Sequence, residues 1–271
     1  MSRNIGGIDM RVFCLVFSLS LVALFSKNPN IQIVGESRTP EPVNTTLVIS
    51  IPEDGDVEDD PVYLQIRLEG FPLGTEPNFP REDDIYNYSM GQNMRIIIDD
   101  RPFFATVGPK LDPLQDQGDY YESNYKIKVP FALSPGKHVI RAYLARSFGE
   151  SLKSEGAVTA GYFYFRTKTN GYKFDLDKPY LTYNEPSNSH PYAFKKPVLL
   201  DFLVENCTLS KDGYQVKLTI DGKEVSYLTY PPYYIRGLSK GEHTIELTLV
   251  NQNKEQATGK YNRMKRIIRV F

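Results

Sequence analysis

The sequence predicts an all-β protein of two domains in tandem behind an N-terminal signal peptide or short membrane anchor, and three observations carry that reading. Proline (19) and glycine (19) interrupt the 271 residues too often for long helices, while 19 Tyr and 15 Phe, with no Trp, favour strands. The segment LSPGKHVIRAYLA, from Leu133, returns as LSKGEHTIELTLV from Leu238, each a turn and a strand with glycine two residues before a histidine. Val12 to Phe25, VFCLVFSLSLVALF, is an uncharged run preceded by Arg11, of signal-core length and too short for an ordinary spanning helix.

Composition excludes several classes of function. Lys and Arg (32) balance Asp and Glu (33) to a formal charge of -1, so no global field draws the chain to nucleic acid or to a strongly charged substrate. Cys14 lies in the apolar run and Cys207 stands alone in the body, which leaves no disulfide framework. Residues 1–27 are therefore read as a signal peptide or short anchor, with membrane attachment, if any, through residues 12–25, and the chain as exported to a periplasmic, membrane-anchored or extracellular place.

The elements follow in order. Residues 28–45 form a polar leader. Domain 1, residues 46–168, opens with the strand TLVISI from Thr46, continues through the acidic loop EDGDVEDD, and then alternates apolar and polar residues in VYLQIRLEG from Val62. Residues 71–93 are too rich in Pro, Asn and Asp to continue a strand and read as a long surface insertion, where recognition often sits. A hairpin is expected over MRIIIDDRPFFATV from Met94, then a second polar loop from Gly108, strands around Tyr125 and Val139, and a closing strand in AGYFYFRTK. Residues 169–194 have little apolar periodicity and read as a connector, with Tyr180 to Tyr183 available to brace the junction. Domain 2, residues 195–271, starts with PVLLDFLVENCTL, turns at Asp221 and Gly222, repeats the glycine-histidine turn, and ends in MKRIIRVF. The same elements recur in the same order, which makes the halves two copies of one β unit.

The pattern TIDGKEV followed by PYYIRGLSKGEHTIEL, with a degenerate copy over Ile96 to Phe104 and Pro130 to Ala142, resembles the immunoglobulin-like and fibronectin-like modules of exported bacterial proteins. PYLTYNEPSNSHPY with VLLDFLVEN further resembles a group of bacterial envelope proteins. The resemblance implies two immunoglobulin-like β-sandwich domains of about seven strands each, a fold that hosts many roles and specifies none. The first copy departs from the pattern at its insertion and at Asp99-Asp100, where Asp-Gly is expected.

Candidate site residues fall into three groups. Gly136, His138, Asp221, Gly222, Gly241 and His243 read as structural turn residues, because a histidine repeated at one place in both copies is a bracing group rather than half of a catalytic pair. Tyr86, Tyr88, Tyr120 and Tyr121 in the long loops of domain 1, and Tyr230, Tyr233 and Tyr234 in domain 2, read as binding residues, since tyrosine offers contact area and a hydroxyl at low ordering cost. Asp54, Asp56 and Glu58 crowd one acidic turn whose default is solvation. Their hard oxygens would select calcium if an ion were held, though the run lacks the glycine and glutamate of a helix-loop-helix calcium site. His190 reads as a loop residue, and the basic residues Arg263, Lys265, Arg266 and Arg269 as protection for an edge strand. Asn44, Asn87 and Asn206 stand in N-x-S/T sequences. No catalytic constellation and no cofactor motif is visible. The chain is expected to be a noncatalytic envelope or secreted protein that binds or positions a protein or glycan of the cell envelope; the alternatives are a carbohydrate-binding protein and, behind it, a glycan-active enzyme.

Overall fold

Alternation sets the first ladder. In Tyr63–Glu69, Leu64, Ile66 and Leu68 are buried while Tyr63 and Arg67 face solvent, because successive side chains of a strand point to opposite faces. The computed structural model describes residues 31–76, 79–108, 122–169, 176–229 and 232–271. Its strands, in chain order, are β1 (Gln32–Gly35), β2 (Thr46–Ile51), β3 (Val57–Glu58), β4 (Tyr63–Glu69), β5 (Asn93–Ile98), β6 (Phe104–Thr106), β7 (Glu122–Lys128), β8 (Gly136–Ala145), β9 (Val158–Phe165), β10 (Tyr180–Glu185), β11 (Val198–Glu205), β12 (Gln215–Ile220), β13 (Lys223–Leu228), β14 (Tyr233–Arg236), β15 (Gly241–Val250) and β16 (Arg263–Val270). The helical content of the described residues is three short 3-10 turns, at Pro80–Asp83, Glu155–Ala157 and Lys260–Asn262. None of these is long and apolar enough to cross a membrane.

Four sheets enclose two apolar cores. Sheets β2-β4-β7 and β3-β9-β8-β5-β6 share one core around Leu64, Ile66, Ile96, Ile127, Ile140 and Phe163. Sheets β1-β14-β11-β10 and β13-β12-β15-β16 share the other, around Leu181, Leu200, Leu218, Ile235, Leu247 and Ile268. Each fully buried side chain of this size contributes about 1.5–3 kcal/mol of transfer free energy, so the two cores dominate stability. The strand orders match: β2-β4-β7 corresponds to β10-β11-β14, the β5-β6 hairpin to β12-β13, and β8-β9 to β15-β16. The result is an all-β fold whose sheets resemble those of immunoglobulin-like and fibronectin-like sandwiches.

Each set carries one added strand that the side-chain pattern does not announce. β3, inside the acidic loop, pairs parallel to β9. β1, inside the segment expected to be a polar leader, pairs antiparallel to β14 from Gln32↔Arg236 to Gly35↔Tyr233 and so joins the second set rather than the first. The connector likewise contains a strand, β10, paired to β11 and buried along all six residues, with Leu181 and Tyr183 in the second core and Thr182 and Asn184 turned to Arg141 and Tyr143 of β8. The insertion 71–93 is anchored at both ends, by Phe71 in the first core and by buried Gln92 and Asn93. Main-chain pairing, not apolar alternation, makes these pieces regular, which is why periodicity misses them. The expected signal or anchor segment, 1–27, lies outside the described residues.

Candidate functional site

The repeated turns are the simplest polar construction in the molecule. Asp99, at φ 58, accepts the backbone N–H of Val139 on Oδ1 (3.0 Å) and faces His138 Nδ1 with Oδ2 (2.8 Å), while His138 Nε2 meets the Ser134 carbonyl at 2.7 Å. Asp221, at φ 51, does the same with Thr244 N (2.8 Å), His243 Nδ1 (2.8 Å) and, through His243 Nε2, the Ser239 carbonyl (2.8 Å). Gly136 and Gly241 begin the histidine strands at φ 124 and 123, and Gly222 completes the second hairpin at φ 78, values that favour glycine. In the first copy burial pushes the His138 pKa down, but the bonds to Asp99 and to the Ser134 carbonyl outweigh it and the pKa is raised. Ser239 Oγ lies 3.4 Å from His243 Nε2, which with Asp221 has the outline of a hydrolase triad. However, that nitrogen points its proton at a carbonyl and offers no lone pair to a serine, and His243 is buried.

A second construction occurs once, where the two cores meet. Ile97, Tyr143 and Leu203 form a small apolar cluster there, and beside it buried Glu185 gathers donors from distant segments. Its Oε1 accepts Arg95 Nη1 (2.7 Å) and the Tyr88 hydroxyl (2.8 Å); its Oε2 accepts Ser187 N (2.7 Å) and the Tyr192 hydroxyl (3.3 Å). Burial alone would lower the pKa of Arg95, but the Glu185 carboxylate reverses the effect and holds the guanidinium charged. Burial, reinforced by Glu185, pushes the Tyr88 and Tyr192 hydroxyls well up, so both remain neutral donors. Asn184 continues the network to Asp201 (2.6 Å), which also binds Lys153 Nζ (2.6 Å). Gly149 is required beside it: at φ +91, a Cβ there would come within 3.0 Å of Glu185 Oε1 and 3.2 Å of Glu185 Cγ.

Glu185 thereby fixes Tyr192, which lines an open pocket, and Tyr88, which packs against the rings beside it. Tyr88 comes from the insertion and Tyr192 from the segment after β10; between them His190 stacks on Tyr86 with ring centroids 3.5 Å apart and an interplanar angle of 15°. Tyr88 closes edge-on against both rings, and Tyr192 lies 4.6 Å from His190. Burial lowers the His190 pKa, which keeps the stacked ring neutral. Tyr86 remains 43% exposed and lines a cavity of about 370 Å³ with Asp83, Asp84, Lys196 and Phe271. A second cavity of about 460 Å³, lined by Thr39, Arg81, Tyr234 and Arg236, shares Asp84 with the first.

The sequence-derived candidates separate on this geometry. Among the described candidates, Tyr86 is the tyrosine with an exposed ring. Tyr88 is half-buried with its hydroxyl committed to Glu185, Tyr233 is half-buried and accepts Thr229 N on its hydroxyl, and Tyr234 is 3% exposed, its ring lying under Arg81 and Arg236 in the second cavity. Tyr120, Tyr121 and Tyr230 lie outside the described residues. Asp54 accepts Tyr162 N (2.9 Å), Asp56 accepts Glu53 N (2.9 Å), and partial burial, then Asp56, raises the pKa of Glu58. Among the described residues no three His, Cys, Asp or Glu side chains are grouped to hold a metal ion, these three included. Of the basic residues on β16, Arg266 is not an edge guard: it is buried and donates to the carbonyls of Tyr183 and Asn184. His190, expected only as a loop residue, stacks on Tyr86, and Glu185 and Arg95 are not singled out by the sequence, although an arginine inside the apolar run MRIII is a visible signal that a buried charge needs a partner.

The class the sheets define is an all-β protein with immunoglobulin-like or fibronectin-like strand order. No protein-family model matches the chain, and no curated protein matches it. Among solved structures, the chain is similar to the fibronectin(III)-like modules of CbhA from Clostridium thermocellum (12% identity, 83% of this chain and 93% of that one, TM-score 0.25). It is also similar to the C-terminal domain of the AgI/II polypeptide BspA of Streptococcus agalactiae (8% identity, 83% and 99%, TM-score 0.23). A third is SGBP-B of the Bacteroides ovatus mixed-linkage glucan utilization locus, in complex with a mixed-linkage heptasaccharide (12% identity, 87% and 48%, TM-score 0.19).

Proposed function

We propose that the chain is a noncatalytic exported protein of two immunoglobulin-like modules, residues 46–168 and 195–271, that binds or positions a macromolecule of the cell envelope. In this reading β1 and β10 complete the second module, residues 12–25 direct export or attachment, and the His–Asp turns brace each module. The observation that carries it is the pair of cavities sharing Asp84. Together they draw on residues from the insertion, the strand β14 and the segment 190–197, an extended surface suited to a polymer rather than an enclosed chamber suited to a reacting molecule. The buried Glu185 network holds the insertion and the segment 190–197 before any ligand arrives, which lowers the ordering cost of binding.

Co-sedimentation of the purified protein with wall and envelope fractions tests the proposal. Wild-type protein should be retained, and Asp84→Arg, which places a long cation at the shared wall of both cavities, should reduce retention while leaving the melting temperature unchanged. Equal retention of the two proteins would move the binding surface elsewhere.

A further inference from the structure

From the Tyr86 pocket we infer the chemical class of the occupant: a sugar residue of a neutral polysaccharide. This rests on the macromolecule-binding reading above and makes it narrower. One face of the Tyr86 ring is covered by His190 and its edge is closed by Tyr88, so the ring is held in place while its other side is open. A pinned aromatic face offers apolar contact with little loss of rotamer freedom, and the C–H face of a pyranose is a flat apolar surface of matching size. Around the ring stand two exposed carboxylates, Asp83 and Asp84, and the ammonium of Lys196, whose Nζ is 3.3 Å from the Asp83 carbonyl. Carboxylates only accept and ammonium only donates, whereas a sugar hydroxyl does both and can bind either. Two acids against one lysine disfavour an anionic ligand.

The main chain argues against an extended peptide. Strand addition needs free N–H and C=O groups, but along this wall Tyr192 N donates to Arg269 O (2.8 Å), Phe271 N to Tyr192 O (3.0 Å) and Phe194 N to Phe271 O (3.0 Å). The ladder a peptide would use is occupied by residues 192–194. Recognition is left to side chains, and these are the aromatic rings of Tyr86 and Phe271 with hydroxyl-matching groups around them.

Isothermal titration of the full chain against soluble β-glucan, xylan and galactomannan tests the inference, with polygalacturonate and proline-rich and extended peptides as the contrasting arms. At least one neutral polysaccharide should bind. Tyr86→Ala should weaken it by about tenfold or more, and Tyr86→Phe by less than about threefold, with unchanged melting temperatures. His190 is a positioning residue: His190→Ala should weaken binding and His190→Phe, which restores a stacking partner, should recover it. Peptide binding that requires Tyr86, with every polysaccharide silent, would overturn the sugar inference and leave the macromolecule-binding reading standing. Polysaccharide binding indifferent to Tyr86→Ala would also overturn the inference, by placing the sugar elsewhere. If no polymer binds in any arm and no envelope fraction retains the protein, both the inference and the reading it rests on fall.

Discussion

The turn at Asp99 and the turn at Asp221 keep the same contacts although their sequences differ at the next residue. Asp221 is followed by Gly222 at φ 78, which closes a two-residue hairpin between Ile220 and Lys223; Asp99 is followed by Asp100 and a longer loop before β6. The aspartate and the histidine are therefore what the architecture needs, and the glycine is needed only where the hairpin is tight. The junction shows the opposite pattern, since Glu185, Arg95, His190 and Tyr86 have no counterpart in the other copy. What is repeated ties a hairpin to the strand that follows it in each set of sheets; what occurs once lies at the meeting of the cores and beside the pocket.

The most severe way to break that contrast is at the junction. Glu185→Ala leaves Arg95, with no exposed surface, as an uncompensated charge, and should cost about 3–5 kcal/mol by urea unfolding. A loss below about 1 kcal/mol would mean that the network is not essential to the joint. Smaller, and equal in the two copies, should be Asp99→Ala and Asp221→Ala, each removing a histidine partner and an N–H acceptor, at about 2–3 kcal/mol. If one variant were silent, the turns would be alike in shape but not in role. Smaller again is the glycine: Gly222→Ala, at positive φ, should lower stability by about 1 kcal/mol, while Asp100→Ala should change it by less than about 0.5 kcal/mol.

The smallest effect is a pH dependence carried by the first turn. The His138 pKa is raised above its ordinary 6.5, so its contribution is complete below that value and is lost as pH rises through the raised one. Burial works against Asp99 but its bonds to His138 and Val139 lower its pKa below 3.8, so its contribution is present above that value and is lost only as pH falls further. Melting temperature should thus decline slightly from about pH 6.5 upward, and His138→Gln should flatten that slope. An identical slope in the variant would place the titrating group elsewhere.

These contrasts also explain what could be read in the letters. The repeat order and the His turns are local: LSPGKH and LSKGEH carry the glycine, the histidine and the serine whose carbonyl meets it within one short segment. The aspartate partner lies 39 residues before His138 and 22 before His243, yet it too falls at a hairpin that the apolar pattern marks. Glu185 and Tyr88 are 97 residues apart, and neither has a local neighbour that betrays the other. Tyr86 was legible as an exposed loop aromatic, but its pinning by His190, 104 positions away in an unremarkable SNSHPY, depends on tertiary packing that periodicity does not encode. β1 was illegible for another reason, because QIVG is too short for alternation to register and it pairs with a strand two hundred residues on.

That pairing has a mechanical consequence. Residues 36–41 continue from β1 to the first set of sheets, where Thr39 donates to Glu150 and the Glu41 carboxylate accepts the N–H groups of Lys153 and Ser154. Tension applied to the chain ahead of Gln32 would therefore enter the β1–β14 ladder and load the second core first. The first core would feel it only after four antiparallel residue pairs had given way, so the part of the chain nearest the pull in sequence is the part shielded from it.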